Sequence, residues 1–338
     1  MKEVAVVILN WNGKALMEEF LPSVIAYTPT DKADIVVADN GSTDDSVEML
    51  KAKFPEVQLI LLDKNYGFAE GYNQALKHID NKYTVLLNSD VEVTPGWIDA
   101  PLNVMNDQPE IAAVQPKILA QRNKKYFEYA GACGGFMDRY GYPYCRGRVL
   151  HAIEEDRGQY DMPVDILWAT GACHFVRTEV YKKEGGLDGR FFAHQEEVDF
   201  CWRLRCRGYR LICTPDSVVY HVGGATLSVE SPHKTYLNFR NNLLMVYKNL
   251  GEADLEHVMR TRFFLDYLAA LKFLLTGHFK NAKAIYKARQ DFFELKESYL
   301  PIRKENLQKT VLSPIPELSR KSLIVSFYLK GKRKYSDM

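Results

Sequence analysis

The chain has almost no net charge. Its 44 Lys and Arg against 43 Asp and Glu leave +1 over 338 residues, which excludes a bulk electrostatic attraction to DNA or RNA. It has no CxxC pair among its six cysteines, Cys133, Cys145, Cys173, Cys201, Cys206 and Cys213. That spacing makes neither a zinc site nor a redox motif, and the expectation is reduced, mostly buried thiols in a cytosolic protein. No apolar run reaches the roughly 18 residues of a membrane-spanning helix. The longest candidate, residues 263–275, is broken by Asp266 and Lys272. The opening MKEVAVVILNWNG holds an apolar run too short for a signal peptide and no small-residue cleavage site. The expected location is therefore the cytosolic side. Internal repeats and low-complexity tracts are absent too.

What is present is alternation. Short apolar strands are expected over residues 4–9, 35–38, 57–62 and 83–87. Helices are expected over 14–27, 44–53 and 69–79, the second capped by Ser42 or Thr43 and closed before Pro55. This pattern predicts an α/β fold, a parallel sheet with helices on its faces. In such sheets the ligand lies beyond the carboxyl ends of the strands. All four strands end there in polar loops: Asn10-Trp11-Asn12-Gly13, residues 39–44 (DNGSTD), Asp63-Lys64-Asn65-Tyr66-Gly67 and Asn88-Ser89-Asp90. One such loop is ordinary turn chemistry; four on one edge, each carrying a carboxylate or carboxamide, outline a site.

From residue 109 to about 227, short strands, glycines and aromatics predict mixed β-structure added to the parallel half. Helices are expected over 233–250, 254–276 and 278–298, with Gly251 and Gly277 as stops, and a loose basic tail from Pro301. The expected division is a catalytic domain over 1–250, its halves meeting near residue 110, and a helical extension over 251–338.

Asp90 and Glu92 have metal-ligand character. Hard oxygen donors at a strand end suit Mg²⁺ or Mn²⁺, which keep waters and take other ligands from a substrate phosphate. Alternation along an extended segment would keep Glu92 on the side of Asp90, or it is simply solvated. A second cluster, FFAHQEEVDFCWRLRCRGYRL, predicts a helix over 196–207 with Glu196, Glu197 and Asp199 in its first turn. There they favour the helix dipole, and Asp199 is also spaced to pair with Arg203. A carboxylate at the mouth of an aromatic pocket gains a raised pKa and the character of a general base. His221 follows a strand over 218–220 and is either structural or the completing ligand of a Mn²⁺ site.

The chain resembles the family 2 glycosyltransferases, which have the GT-A fold, and is especially similar to rhamnosyltransferase-like bacterial members that build surface polysaccharides. The resemblance rests on VVILNWNG, VADNGSTDDS, NYGFAEGYNQAL, LLNSDVEV, the long stretch over 171–211, HVGGAT and NFRNNL, spanning residues 4 to about 245. It implies a nucleotide-diphosphate sugar donor, an Mg²⁺ or Mn²⁺ ion and inversion at the sugar carbon. By resemblance, Asp39 reads the nucleobase, while Asn10, Asn12, Asn65, Gly67 and Asn88 line the nucleotide. Asp90 matches the last carboxylate of the DxD motif, whose first position here is Asn88. Glu92 and His221 are the candidates to help Asp90 hold the ion. Glu197 takes the place of the catalytic base, with Glu196, Asp199 and Arg203 around it. Trp168, His174, Tyr129 and Phe192 are candidates to shape the acceptor pocket. The resemblance further implies a carbohydrate or lipid-linked acceptor. Residues 263, 267, 270, 271 and 274 form an apolar stripe, for packing on the catalytic domain or a second copy, or for a peripheral membrane contact. The rival classes are a sugar nucleotidyltransferase, for which LNWNGKAL is a poor triphosphate loop, and a decayed transferase acting as a carbohydrate-binding scaffold.

Overall fold

A computed structural model of the chain describes residues 2–223 and 231–338; the Gly224, Ala225 and Thr226 of the HVGGAT motif lie outside the described residues. The first half alternates as expected: β1 (Val4–Asn10), α1 (Lys14–Tyr27), β2 (Ala33–Asp39), α2 (Ser46–Lys53), β3 (Gln58–Leu61), α3 (Gly67–Leu76), β4 (Tyr83–Leu87), β5 (Val91–Val93) and α4 (Asp99–Asp107). The middle is β-rich: β6 (Ile111–Ala120), β7 (Gly135–Asp138), β8 (Pro143–Cys145), β9 (Arg148–Val149), β10 (Ala152–Ile153), β11 (Val164–Asp165) and β12 (Cys173–Arg177). Then come α5 (Thr178–Lys183), α6 (Glu196–Cys206), β13 (Arg210–His221), α7 (Pro232–Asn249), α8 (Glu252–Leu275), α9 (Phe279–Gln308) and β14 (Leu318–Ser319).

The main sheet runs β11-β13-β6-β12-β4-β1-β2-β3, with β5 laid on β13. It is parallel over β4-β1-β2-β3. It turns mixed at β12, which is antiparallel to both β4 and β6. Val4 to Val7 are all fully buried, as a strand covered by helices on both faces must be. A second sheet, β10-β9-β8-β7-β14, packs beside it. All six cysteines are buried as free thiols.

Two sequence expectations need correction. The amide of Ser46 at the start of α2 is met by Asp44 rather than by Ser42 or Thr43; Ser42 Oγ instead accepts from the Asn12 amide. The chain beyond Pro301 is not loose. α9 runs through Pro301 to Gln308, and Arg303 donates to the carbonyls of Tyr247 and Leu250 at the end of α7. The tail then adds β14 to β7 and packs Tyr335 against Phe136, Tyr144 and Tyr160.

The expected pair of Asp199 with Arg203 is present, Arg203 Nε donating to Asp199 Oδ2 at 3.1 Å. It belongs to a buried network. Lys248 Nζ lies 2.9 Å from Asp199 and 2.8 Å from Asp188, and Asn249 donates to Asp199 Oδ1 at 2.7 Å. Burial works against the Asp188 carboxylate, but Lys248 and Arg190 outweigh it and hold its pKa down to about 2. That carboxylate therefore stabilises the fold above the ordinary carboxylate range, and the contribution is lost as pH falls toward 2. Removing one partner of a buried charge network typically costs about 3–5 kcal/mol. Lys248→Met is expected to destabilise the chain by about that much in urea unfolding; a loss below about 1 kcal/mol would contradict the role given to this lysine.

Candidate active site

The polar loops after β1, β2 and β3 knit together at the carboxyl edge of the sheet. Asn10 Nδ2 donates to Asp39 Oδ1 at 3.0 Å, and the Ser42 amide donates to Asp39 Oδ2 at 2.9 Å. Asn12 takes a left-handed backbone (φ 50°), which asparagine tolerates, and its Oδ1 accepts from the Thr43 amide at 2.7 Å. Asn40, which the sequence reading did not single out, is the clamp between loops. Its Nδ2 donates to Asn65 Oδ1 and to the Gly67 carbonyl, and its Oδ1 accepts from the Tyr66 amide. Asn10 Oδ1 is buried and has no partner among the described residues. Gly67 sits at φ 77°, and a Cβ there would come 2.5 Å from the Phe192 ring. Both the backbone and the close approach require glycine.

The loop before α6 reaches this same edge. The Phe192 carbonyl accepts from the amides of Phe68 and Ala69, at 2.7 and 3.1 Å, so the first turn of α3 is fastened to the chain that leads into Glu196 and Glu197. Behind that helix start, the Ala169 amide donates to Cys201 Sγ. Three residues on, the Ala172 carbonyl accepts from the Asn88 amide. The acids of α6 are thus tied to the edge that carries Asn65, Gly67 and Asn88.

Asp90 is buried, and its Oδ1 lies 3.1 Å from His221 Nε2. Asn88 Nδ2 is 3.4 Å from the same nitrogen. On the far side of the ring, His221 Nδ1 is 3.5 Å from Glu128 Oε1. Burial opposes the charged imidazole, but Glu128 and Asp90 outweigh burial and raise its pKa to about 10. Burial would raise the Asp90 carboxyl, and the bond to His221 brings it below its ordinary value instead. An oxygen and a nitrogen about 3 Å apart is the spacing of adjacent ligands on an octahedral ion with bonds of about 2.1 Å. Asp90 and His221 would fit Mg²⁺ or Mn²⁺ with the ion taking the place of the imidazole proton, and Glu128 is placed to orient the ring as outer partners of metal-bound histidines do. Among the described residues no group of three His, Cys, Asp or Glu side chains forms a complete cage; further ligands would be water or substrate phosphate.

Glu92 is not part of this cluster. It pairs with Lys124 Nζ at 2.6 Å. In the β5–β13 ladder it stands opposite Tyr220, whereas Val91 stands opposite His221. Side chains alternate along a strand, so Glu92 projects from the other face of the sheet.

Glu196 is buried and Glu197 half-buried, and each has an Oε2 without a partner among the described residues. Burial lifts both pKa values. For Glu196 the neighbouring Glu197 charge adds to burial and pushes it well above the ordinary range. For Glu197 the backbone amides at the start of α6 pull against burial, and the carboxyl is still raised. Both carboxyls of the pair are therefore raised above the ordinary carboxylate range.

The other candidates lie in the framework. Trp168 is buried, donates from Nε1 to the Phe136 carbonyl and covers Gly135. His174 is buried on β12 with neither ring nitrogen partnered among the described residues, and burial lowers its pKa to about 4. Tyr129 is exposed beneath the Arg148 guanidinium. Phe192 is about half exposed, beside Gly67.

The sequence pattern described as Glycosyl transferase family 2 matches residues 5–184. The chain belongs to glycosyltransferase family 2. It is 27% identical over 235 residues to the N-acetylglucosaminyl-diphospho-decaprenol L-rhamnosyltransferase of Mycobacterium tuberculosis, a match covering 64% of this chain and 75% of that protein. Among solved structures it resembles a mannosyltransferase of Pyrobaculum calidifontis in complex with GDP-Man and Mn²⁺, with TM-score 0.53, 16% identity and coverage of 91% of this chain and 84% of the other. It also resembles residues 1–349 of S. aureus TarS in complex with UDP-GlcNAc, with TM-score 0.56, 16% identity and coverage of 91% and 89%. The fold is that of the GT-A glycosyltransferases, and the family places the chain in glycosyl transfer and glycan biosynthesis.

Outer partners of a metal-bound histidine are worth about 10- to 100-fold in affinity. In calorimetric titration with Mn²⁺ in the presence of a nucleoside diphosphate, Glu128→Gln is expected to weaken the metal by that factor and Glu92→Gln to leave it unchanged. A loss in Glu92→Gln with none in Glu128→Gln would reverse the assignment.

Proposed function

We propose that the protein is an inverting, metal-dependent glycosyltransferase that moves a sugar from a nucleotide-diphosphate sugar to a hydroxyl of a lipid-linked glycan acceptor in cell-surface polysaccharide synthesis. The observation that carries this is the fastening of the Glu196–Glu197 loop, through the Phe192 carbonyl, onto the edge where Asn10, Asp39, Asn65 and Asp90 end their strands. The relatives support the substrate classes: one is named as a transferase to a diphospho-decaprenol acceptor, and two solved structures hold nucleotide sugars, one of them with Mn²⁺.

In this reading the nucleotide lies over the loops after β1, β2 and β3. Asp39, buried and held by Asn10 and Ser42, presents what remains of its lone pairs to the base. Asp90 and His221 would hold a divalent ion, which when bound would offset the charge of the departing diphosphate. The sugar carbon becomes oxocarbenium-like, as in glycoside hydrolysis. The acceptor hydroxyl bonds that carbon on the face opposite the departing diphosphate, which produces inversion, while Glu197 takes its proton.

A general base supplies typically about 10²–10⁴-fold in rate. Glu197→Gln is expected to lower kcat by that factor with donor Kd nearly unchanged; a collapse of donor binding in this variant would remove the base role. Because Glu197 works ionised and its pKa is raised, kcat/KM in the wild type should climb with pH through a midpoint above the ordinary carboxylate range. Activity already at its plateau near pH 4 would contradict that protonation scheme. Release of nucleoside diphosphate rather than pyrophosphate separates transfer of the sugar from the nucleotidyltransferase alternative.

A further inference from the structure

The α8–α9 hairpin leaves an apolar surface uncovered. Phe264, Leu268, Leu271, Leu274, Leu275 and Phe279 are all exposed, Leu275 at 79% and Phe279 at 66%. Of the stripe read from the sequence, only Ala270 is buried, in a small cluster with Ala282 and Ile285. The rest is not packed on the catalytic half. Monomeric soluble proteins rarely leave contiguous apolar patches of this kind without a partner.

The charge around the patch is one-sided. The 24 residues between Asp266 and Asp291 contain Lys272, Lys280, Lys283, Lys287 and Arg289 and no Asp or Glu. With those five taken from the 44 basic residues, the rest of the chain holds 39 against 43 acidic. Arg289 is buried on Asp266, whereas all four lysines are exposed. Exposed leucine and phenylalanine ringed by lysine is the composition of an interfacial helix on an anionic bilayer. A two-fold pairing of two copies through this patch would set lysine against lysine, since such an interface uses the same surface on both subunits.

The position of the tip adds to this. Asn281 donates to Thr235 in the first turn of α7, Arg262 bonds Asn242 in its middle, and Arg303 reaches Tyr247 and Leu250 at its end. α9 therefore runs parallel to α7 and α8 antiparallel, which puts the hairpin tip at the N-terminal end of α7. From the middle of α7, Asn241 donates to the carbonyls of Phe191, Ala193 and His194, the loop that leads into Glu196 and Glu197.

We infer that the tip of the α8–α9 hairpin, residues 268–283, docks on an anionic membrane surface and holds the acid-bearing end of the site toward it. The inference rests on the proposed lipid-linked acceptor for its purpose but not for its test. The full chain is mixed with vesicles of phosphatidylcholine alone or containing phosphatidylglycerol, and its sedimentation is measured without donor or acceptor. The wild type is expected to sediment with the anionic vesicles, less so with neutral ones, and to be released by salt. Each lysine near such a surface contributes roughly a fivefold factor, so the triple change Lys272→Glu, Lys280→Glu, Lys283→Glu should lower partition by at least about a hundredfold. The pair Leu275→Asp, Phe279→Asp should abolish it. All five positions are exposed, and unchanged thermal melting confirms that the variants fold. Glu197→Gln should sediment as the wild type does, so failed transfer with intact sedimentation counts against the activity alone. Wild-type chain that stays in solution with anionic vesicles overturns the inference. So does a dimer in light scattering that the Leu275→Asp, Phe279→Asp pair dissociates, which would give the patch to a second copy.

Discussion

The contact on which the site depends joins two distant ends of the sheet. Asp90 leaves the parallel half after β4, and His221 ends β13 in the mixed half, yet their side chains meet at 3.1 Å. Neither half alone could build that pair. Two buried groups of opposite charge need each other, since either one left alone would bear the cost of desolvation. Glu128, on the connection after β6, closes the line from the other side of the ring. The same requirement explains why the β-rich middle must dock on the parallel half: it delivers the histidine and its carboxylate partner to a strand end that already carries Asp90.

A second constraint positions the proposed base. α6 carries three acids in its first turn, and the three have separate fates. Asp199 is spent on structure, held by Arg203, Lys248 and Asn249 so that α6 and α7 cannot slide. Glu196 is buried, its carboxyl raised by burial and by the Glu197 charge. Glu197 is partly buried, its Oε2 closed off without a partner among the described residues and its carboxyl raised. Environment rather than residue type assigns the roles, as in other pairs of carboxylates whose surroundings push their pKa values apart. The Phe192 carbonyl, held by the amides of Phe68 and Ala69, gives the loop its place, and Gly67 makes room for the ring that comes with it.

Much of the fold was legible because it rests on periodicity. The helix over Lys14–Tyr27 and the strand over Tyr83–Leu87 follow from local pattern, and the edge where ligand loops gather follows from parallel strands. The errors came where tertiary contact overrode local signals. Pro301 reads as a helix stop, but α9 continues because Arg303 and Asn306 beyond it bond the carbonyls at the end of α7. Glu92 was expected beside Asp90 by alternation. Asp90 sits in the turn before β5, however, so the count of two does not carry through it, and the ladder register turns Glu92 to the other face. Glu128 gave no signal at all: a lone glutamate between aromatics has no spacing to any ligand. Asn40 stood inside a quoted motif, but nothing local marks a carboxamide that will bridge two loops.

The central claim is that a diphosphate held at Asp90 and His221 leaves the sugar carbon facing Glu197. A crystal structure with Mn²⁺ and an unreactive nucleotide-sugar analogue tests it most directly. The account predicts the diphosphate at the Asp90–His221 pair, with the face of the sugar opposite the leaving oxygen open to Glu197. A diphosphate bound elsewhere, or a Glu197 carboxylate on the leaving-group side, would contradict it.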